Sequence, residues 1–135
     1  MHVQYVALCD QIIIAQDGRP SLIGVFNDLQ VAQLPFVLPR FAFAARIHFT
    51  TDGMGRGHRV EVVITDPNGV ELGRPGGEVA LPDPPSGIDS IAVDLPLNFD
   101  MFQLSVEGRY TFVLHVDDKP TAATQLNLKR GGMVA

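Results

Sequence analysis

Apolar side chains recur at every second position along most of the chain. Over residues 41–49 the odd positions are Phe41, Phe43, Ala45, Ile47 and Phe49, and the even ones are Ala42, Ala44, Arg46 and His48. A period of two puts the two sets on opposite sides of an extended backbone, so this segment predicts a strand with one face in a core. Val60, Val62 and Ile64 alternate in the same way with Arg59, Glu61 and Thr65. Ile91, Val93, Leu95 and Leu97 alternate with Ser90, Ala92 and Asp94, and Tyr110, Phe112, Leu114 and Val116 with Thr111, His115 and Asp117. Leu126 and Leu128 mark a last short strand. Residues 3–9 and 11–15 are rich in β-branched and aromatic types and also predict extended chain. The Asp17-Gly18 pair then signals a hairpin turn, and Asn27-Asp28 separates extended segments at 22–26 and 29–34.

The connections carry turn chemistry. Asp66-Pro67-Asn68-Gly69 fits a type I turn, with proline second and glycine fourth. Proline donates nothing to a strand ladder, which predicts that 73–77 and 82–87 lie outside the sheets. The apolar stretch 35–39, bounded by Pro35 and Pro39, predicts a crossover between two sheets. Only 98–104 shows helical spacing, through Phe99, Phe102 and Gln103, and reads as a single turn or an irregular loop. Seven to nine short strands with regular punctuation predict an all-β fold, a two-sheet antiparallel sandwich of the immunoglobulin-like kind. It forms one domain over 1–128, and 129–135 is expected to fray as a C-terminal tail.

Parity sharpens one pairing. If 41–49 and 58–65 are antiparallel neighbours around the loop 50–57, their inward sets are odd on one strand and even on the other. Facing residues then sum to an odd number, since a slip of one residue would turn an apolar face to solvent. A sum of 107 sets Ile47 opposite Val60, and Arg46 opposite Glu61 on the outer face.

Composition narrows the function classes. The chain has 135 residues, 46% of them hydrophobic, enough for a core without metal or disulfide staples. A formal charge of −5 argues against nucleic acid or an anionic membrane as partner. No apolar run reaches the ~18 residues of a membrane helix. The single cysteine, Cys9, admits no internal disulfide, and the start MHVQYVALCDQIII lacks the cationic and long apolar regions of a signal peptide. Cytoplasm is the expected compartment.

Candidate chemistry is sparse. His2, His48, His58 and His115 form no ligand-spaced pair, and a zinc site needs further donors. Gly53-Met54-Gly55-Arg56-Gly57 lacks the Lys-Ser/Thr and the helix of a phosphate loop, and reads as a flexible connection. No serine lies in a nucleophile elbow, and Cys9 reads as a buried structural thiol. The absence of tryptophan removes the usual platform for sugar rings or bases. No cofactor and no metal are expected, and the protein is expected not to be an enzyme.

Two resemblances add to this reading. Glu107-Gly108-Arg109-Tyr110-Thr111-Phe112 resembles the Gly-x-Tyr approach to the penultimate strand of immunoglobulin-like sandwiches. There the tyrosine hydroxyl bonds nearby backbone, and Phe112 occupies the place of a disulfide cysteine in antibody domains. Ala7-Leu8-Cys9-Asp10, Leu22-Ile23-Gly24-Val25-Phe26-Asn27, Leu34-Pro35 and Pro39-Arg40-Phe41 resemble a family of uncharacterised bacterial proteins of about this length. Its blocks read A-L-C-D and L-I-G-V-F-D, and Asn27 departs from the last aspartate. The resemblance implies a bacterial origin and a single β domain, with no activity attached.

The functional expectation is a non-catalytic binding or assembly module. Ala42, Ala44 and Val63 on outward parities leave both faces of their strands partly apolar. This predicts an interaction surface of Ala42, Ala44, Arg46, His48, Arg59, Glu61 and Val63, facing a protein partner or a second copy. Two further readings stay open: a small enzyme or ligand-binding protein with a site in the loops 50–59 and 81–87, and a structural component of a larger assembly.

Overall fold

The computed structural model describes residues 1–131. Ten strands make two sheets, and the only helical element among the described residues is a short 3-10 turn at Thr51–Gly53. In the first sheet β1 (His2–Ile14), β2 (Pro20–Phe26), β4 (Phe36–Thr50) and β8 (Ser90–Leu104) run in the order β2-β1-β4-β8. The second holds β3 (Asp28–Val31), β5 (Gly57–Thr65), β6 (Glu71–Gly73), β9 (Gly108–Val116) and β10 (Lys119–Arg130) in the order β3-β10-β9-β5-β6. β7 (Gly76–Ala80) also pairs with β5. All pairings are antiparallel except β3 with β10, which is parallel. The molecule is the expected all-β sandwich. It has more strands than expected because the glycine-rich 71–80 adds two short edge strands; 73–77, expected outside the sheets, is strand at Gly73 and at Gly76-Gly77, and only Arg74 and Pro75 stand between.

The core forms where the inward parities of the two sheets meet. Leu8, Phe41, Phe43, Ile47 and Phe49 from one sheet pack with Val62, Ile64, Phe112, Leu114 and Leu126 from the other, all essentially without solvent contact. Phe112 packs edge-on to Phe41 at 6.0 Å and Phe99 at 6.2 Å, so an aromatic cluster joins the sheets at the place of the antibody disulfide. The corner expected at Tyr110 is formed. Its hydroxyl donates to the Val106 carbonyl at 2.7 Å and accepts from the Val106 N–H at 3.2 Å.

Four local expectations are corrected. Residues 41–49 and 58–65 do not pair: β4 lies between β1 and β8, while β5 belongs to the other sheet. Arg46 therefore faces Asp94 and not Glu61, and Ile47 faces Val3 and Val93 and not Val60. The loop 50–57 crosses between layers. The stretch 35–39 is no crossover: after Pro35, residues 36–39 are the first part of β4. The helical spacing at 98–104 belongs to a strand, with Met101 at positive φ between Phe99 and Phe102. Both phenylalanines reach the core because the backbone changes face there, and a spacing of three results. Finally, Lys129 and Arg130 end β10, paired with Gln30 and Val31, and are not tail. Of the expected tail, 132–135 lie outside the described residues.

Candidate functional site

The expected interaction surface does not exist as one surface. Ala42, Ala44, Arg46 and His48 lie on the outer side of the first sheet, and Arg59, Glu61 and Val63 on the outer side of the second. Ala42 and Ala44 are 1% and 4% exposed. Their cover is the far half of the β1–β2 hairpin. Leu8 and Phe26 face the core, but further out Ile12, Ile14 and Pro20 enclose a crevice of only about 10 Å³ with Tyr5, Ala44, Asp94 and Pro96. Asp10, Gln11 and Ile12 border Arg40, Asn98 and Asp100 across a wider recess of about 360 Å³. The hairpin has bent over and roofs the outer face of β4 and β8.

The bend has a local cause. Between the Cys9–Val25 and Gln11–Ile23 pairs stand Asp10 and Gly24. Gly24 has φ +69, and a Cβ there would collide with the Asp10 carboxylate. Only glycine fits both the left-handed backbone and the close approach. Cys9 sits beneath, fully buried, and burial pushes its thiol above the ordinary range. Tyr5 is likewise raised by burial and by the nearby Asp94. Arg46 and Asp94 meet at 3.7 Å on the roofed face.

The hairpin nevertheless leaves apolar side chains in solvent. Ile13, Ile14, Ile23 and Val25 are 44–58% exposed. They gather on one hairpin, and neither arm carries a charge over 11–15 or 20–27. Hairpin pairing brings the segments A-L-C-D (7–10) and L-I-G-V-F (22–26) together at the bend. This patch was missed in the sequence because its residues read simply as extended chain, with no face assigned. The small residues Ala42 and Ala44 on a central strand were the available signal that another layer would cover them.

The remaining surface residues have local partners. His48 stacks on His2 at 4.7 Å and its Nε2 meets the Gln4 amide oxygen at 2.5 Å. Glu61, nearly buried, is flanked by Arg59 at 3.4 Å and Arg74 at 3.5 Å, and Arg74 reaches Glu71 at 2.7 Å. That contact holds the Glu71 carboxyl below its ordinary value. Val63 lies beside Val113, half-buried.

The loop candidate resolves into a lock at the rim of the sandwich. Buried His58 meets Asp117 Oδ2 at 2.7 Å through Nδ1 and the Gly53 carbonyl at 2.6 Å through Nε2, with Phe49 against its ring. Both ring nitrogens are thus engaged, Nδ1 by a carboxylate and Nε2 by a backbone carbonyl, and the imidazole is held on both edges. Asp117 also accepts from the Arg59 N–H at 3.0 Å. The His58 hydrogen bond, then the Arg59 N–H, keeps its carboxyl below the ordinary value. A recess of about 240 Å³ beside this lock also touches Asp52, Arg56 and Lys119, while Cys9 lies elsewhere. Among the described residues no cluster of three or more His, Cys, Asp or Glu side chains could hold a metal.

The family blocks meet at the bend, and the family itself is known by its model. A family of unknown function, DUF6941, matches residues 4–129. The chain belongs to this family. No curated protein matches it. Among solved structures it is similar to the alkylpurine DNA glycosylase AlkC of Pseudomonas fluorescens bound to DNA containing an abasic site analog. Identity there is 7%, TM-score 0.48, over 92% of this chain and 30% of that one. It is similar to an immunoglobulin-like protein of Pseudomonas aeruginosa at 11% identity and TM-score 0.42, over 96% and 98% of the two chains. A β-glucosidase of Listeria innocua in complex with isofagomine is similar at 8% identity and TM-score 0.47, over 96% of this chain and 16% of that one. The chain thus spans a minor part of the glycosylase and of the glucosidase.

Proposed function

We propose that this member of the DUF6941 family is a non-catalytic protein-binding module of the bacterial cytoplasm, and that it makes contact through the folded-over β1–β2 hairpin. One observation carries the reading: an uncharged hairpin keeps Ile13, Ile14, Ile23 and Val25 about half in solvent on a sandwich whose core is already complete. Soluble chains rarely leave such apolar groups clustered unless something covers them. The engaged nitrogens of His58 support a structural role for the rim, which favours binding over catalysis. A photo-crosslinking amino acid placed at Ile23 and, separately, at Val63 on the opposite face tests this in the host cell. Protein adducts at position 23 and few at 63 are the expected result. Equal labelling at both positions, or none at 23, removes the reading.

A further inference from the structure

The far half of the β1–β2 hairpin is tied to the molecule only at its bend. Pairing of β1 with β4 ends at Cys9 and Ala42, and from Gln11 to Ile14 β1 pairs with β2 alone. Among the described residues no hydrogen bond and no ion pair joins 11–24 to β4 or β8; Asp17 and Arg19 at the tip bond only each other. What holds the hairpin down is apolar. Ile12 lies opposite Leu22 and Ile14 opposite Pro20, so each pair shares a face, and Ile12, Ile14 and Pro20 close over Ala44 and Pro96.

The covered face is not apolar throughout. Tyr5, Arg46 and Asp94 stand in one row across the sheet. Solvent does not reach Arg46 Nε or Asp94 Oδ1, which lie 3.7 Å apart, and neither atom has a hydrogen-bond partner among the described residues. Polar atoms stripped of water and left unbonded oppose closure, while the apolar contacts favour it. The bend between these opposing terms is a narrow one, with Gly24 at φ +69 against Asp10.

We propose that the hairpin beyond Asp10 and Gly24 is a lid, which swings off the outer face of the first sheet while the sandwich stays folded. Opening hydrates Arg46 and Asp94 and bares Ala42, Ala44 and Cys9. The lid goes beyond the binding role proposed above and does not depend on it, since a fixed hairpin can bind and a moving one need not.

The chain carries its own probe. Cys9, its single thiol, is fully buried on the covered face opposite Ala42. Labelling of the native full chain with Ellman's reagent is expected to proceed at a rate nearly independent of urea well below the unfolding transition, because opening the lid exposes little surface. Arg46→Met with Asp94→Leu, which places apolar groups under the lid, is expected to slow labelling roughly tenfold. Asp94→Leu alone, which leaves the arginine unpaired there, is expected to speed it. Labelling as steeply dependent on urea as global unfolding overturns the lid without any variant. So does a rate that the double substitution leaves unchanged in a chain whose circular dichroism spectrum is native. Neither result bears on cross-linking at position 23, which tests the binding role separately.

Discussion

On the outer side of the first sheet, Ala42 and Ala44 vanish beneath a hairpin of their own chain. On the outer side of the second, Arg59 and Arg74 hold Glu61 in an ion network whose arginines remain half in water. Small side chains permit a third layer, and the layer carries its own apolar residues outward. Long charged ones need no roof, since their stems shield the strand while their heads stay hydrated. A sheet face that alternates apolar-in with small-out is thus one that another segment can cover, and here that segment becomes the exposed surface.

Perturbing each face tests the difference. The largest effect is expected on the roofed side. Ala44→Leu overfills the crevice under Ile12 and Ile14 and should cost about 1–3 kcal/mol in denaturant unfolding. A cost near zero would mean that the hairpin lifts freely. Next, Gly24→Ala places a Cβ at positive φ and against Asp10. It should cost about 1–2 kcal/mol and increase amide exchange in the hairpin beyond the bend. On the open side, Glu61→Gln removes the charge shared by Arg59 and Arg74. Because both arginines are more than half exposed, about 1 kcal/mol or less is expected, falling further in high salt. Val63→Ser on that face should stay within about 0.5 kcal/mol.

The rim lock adds a pH signature. Asp117 is held below the ordinary aspartate value of 3.8 by His58 and the Arg59 N–H. A lowered carboxyl stabilises the fold above its unfolded value and loses that contribution as pH falls through its folded value. Stability of the native chain should therefore drop below about pH 4 more steeply than that of Asp117→Asn. Parallel acid-unfolding curves for the two would count against the lock.

Much of this architecture is legible from alternation alone. The inward sets at Phe41–Phe49 and Tyr110–Val116, the Tyr110 corner and the turn at Asp17-Gly18 all follow from local spacing, because a strand's two faces and a turn's dihedral needs are set by neighbours in the chain. Which strands adjoin is a different matter. The loop between β4 and β5 is as compatible with a layer crossing as with a hairpin, and parity tells which way a side chain points, never across from what. The surface assigned to Ala42, Ala44, Arg46, His48, Arg59, Glu61 and Val63 failed on that point.

Periodicity in this sequence determined a two-layer β protein with a phenylalanine-rich interior, since burying every second residue leaves an extended chain few other stable arrangements. Tertiary structure decided where that rule stops. The bend at Asp10 and Gly24 turns the hairpin onto the outside of its own sheet, because small alanines there and a glycine without Cβ make close approach possible. Those contacts join residues 14 or more positions apart, and no local pattern records them.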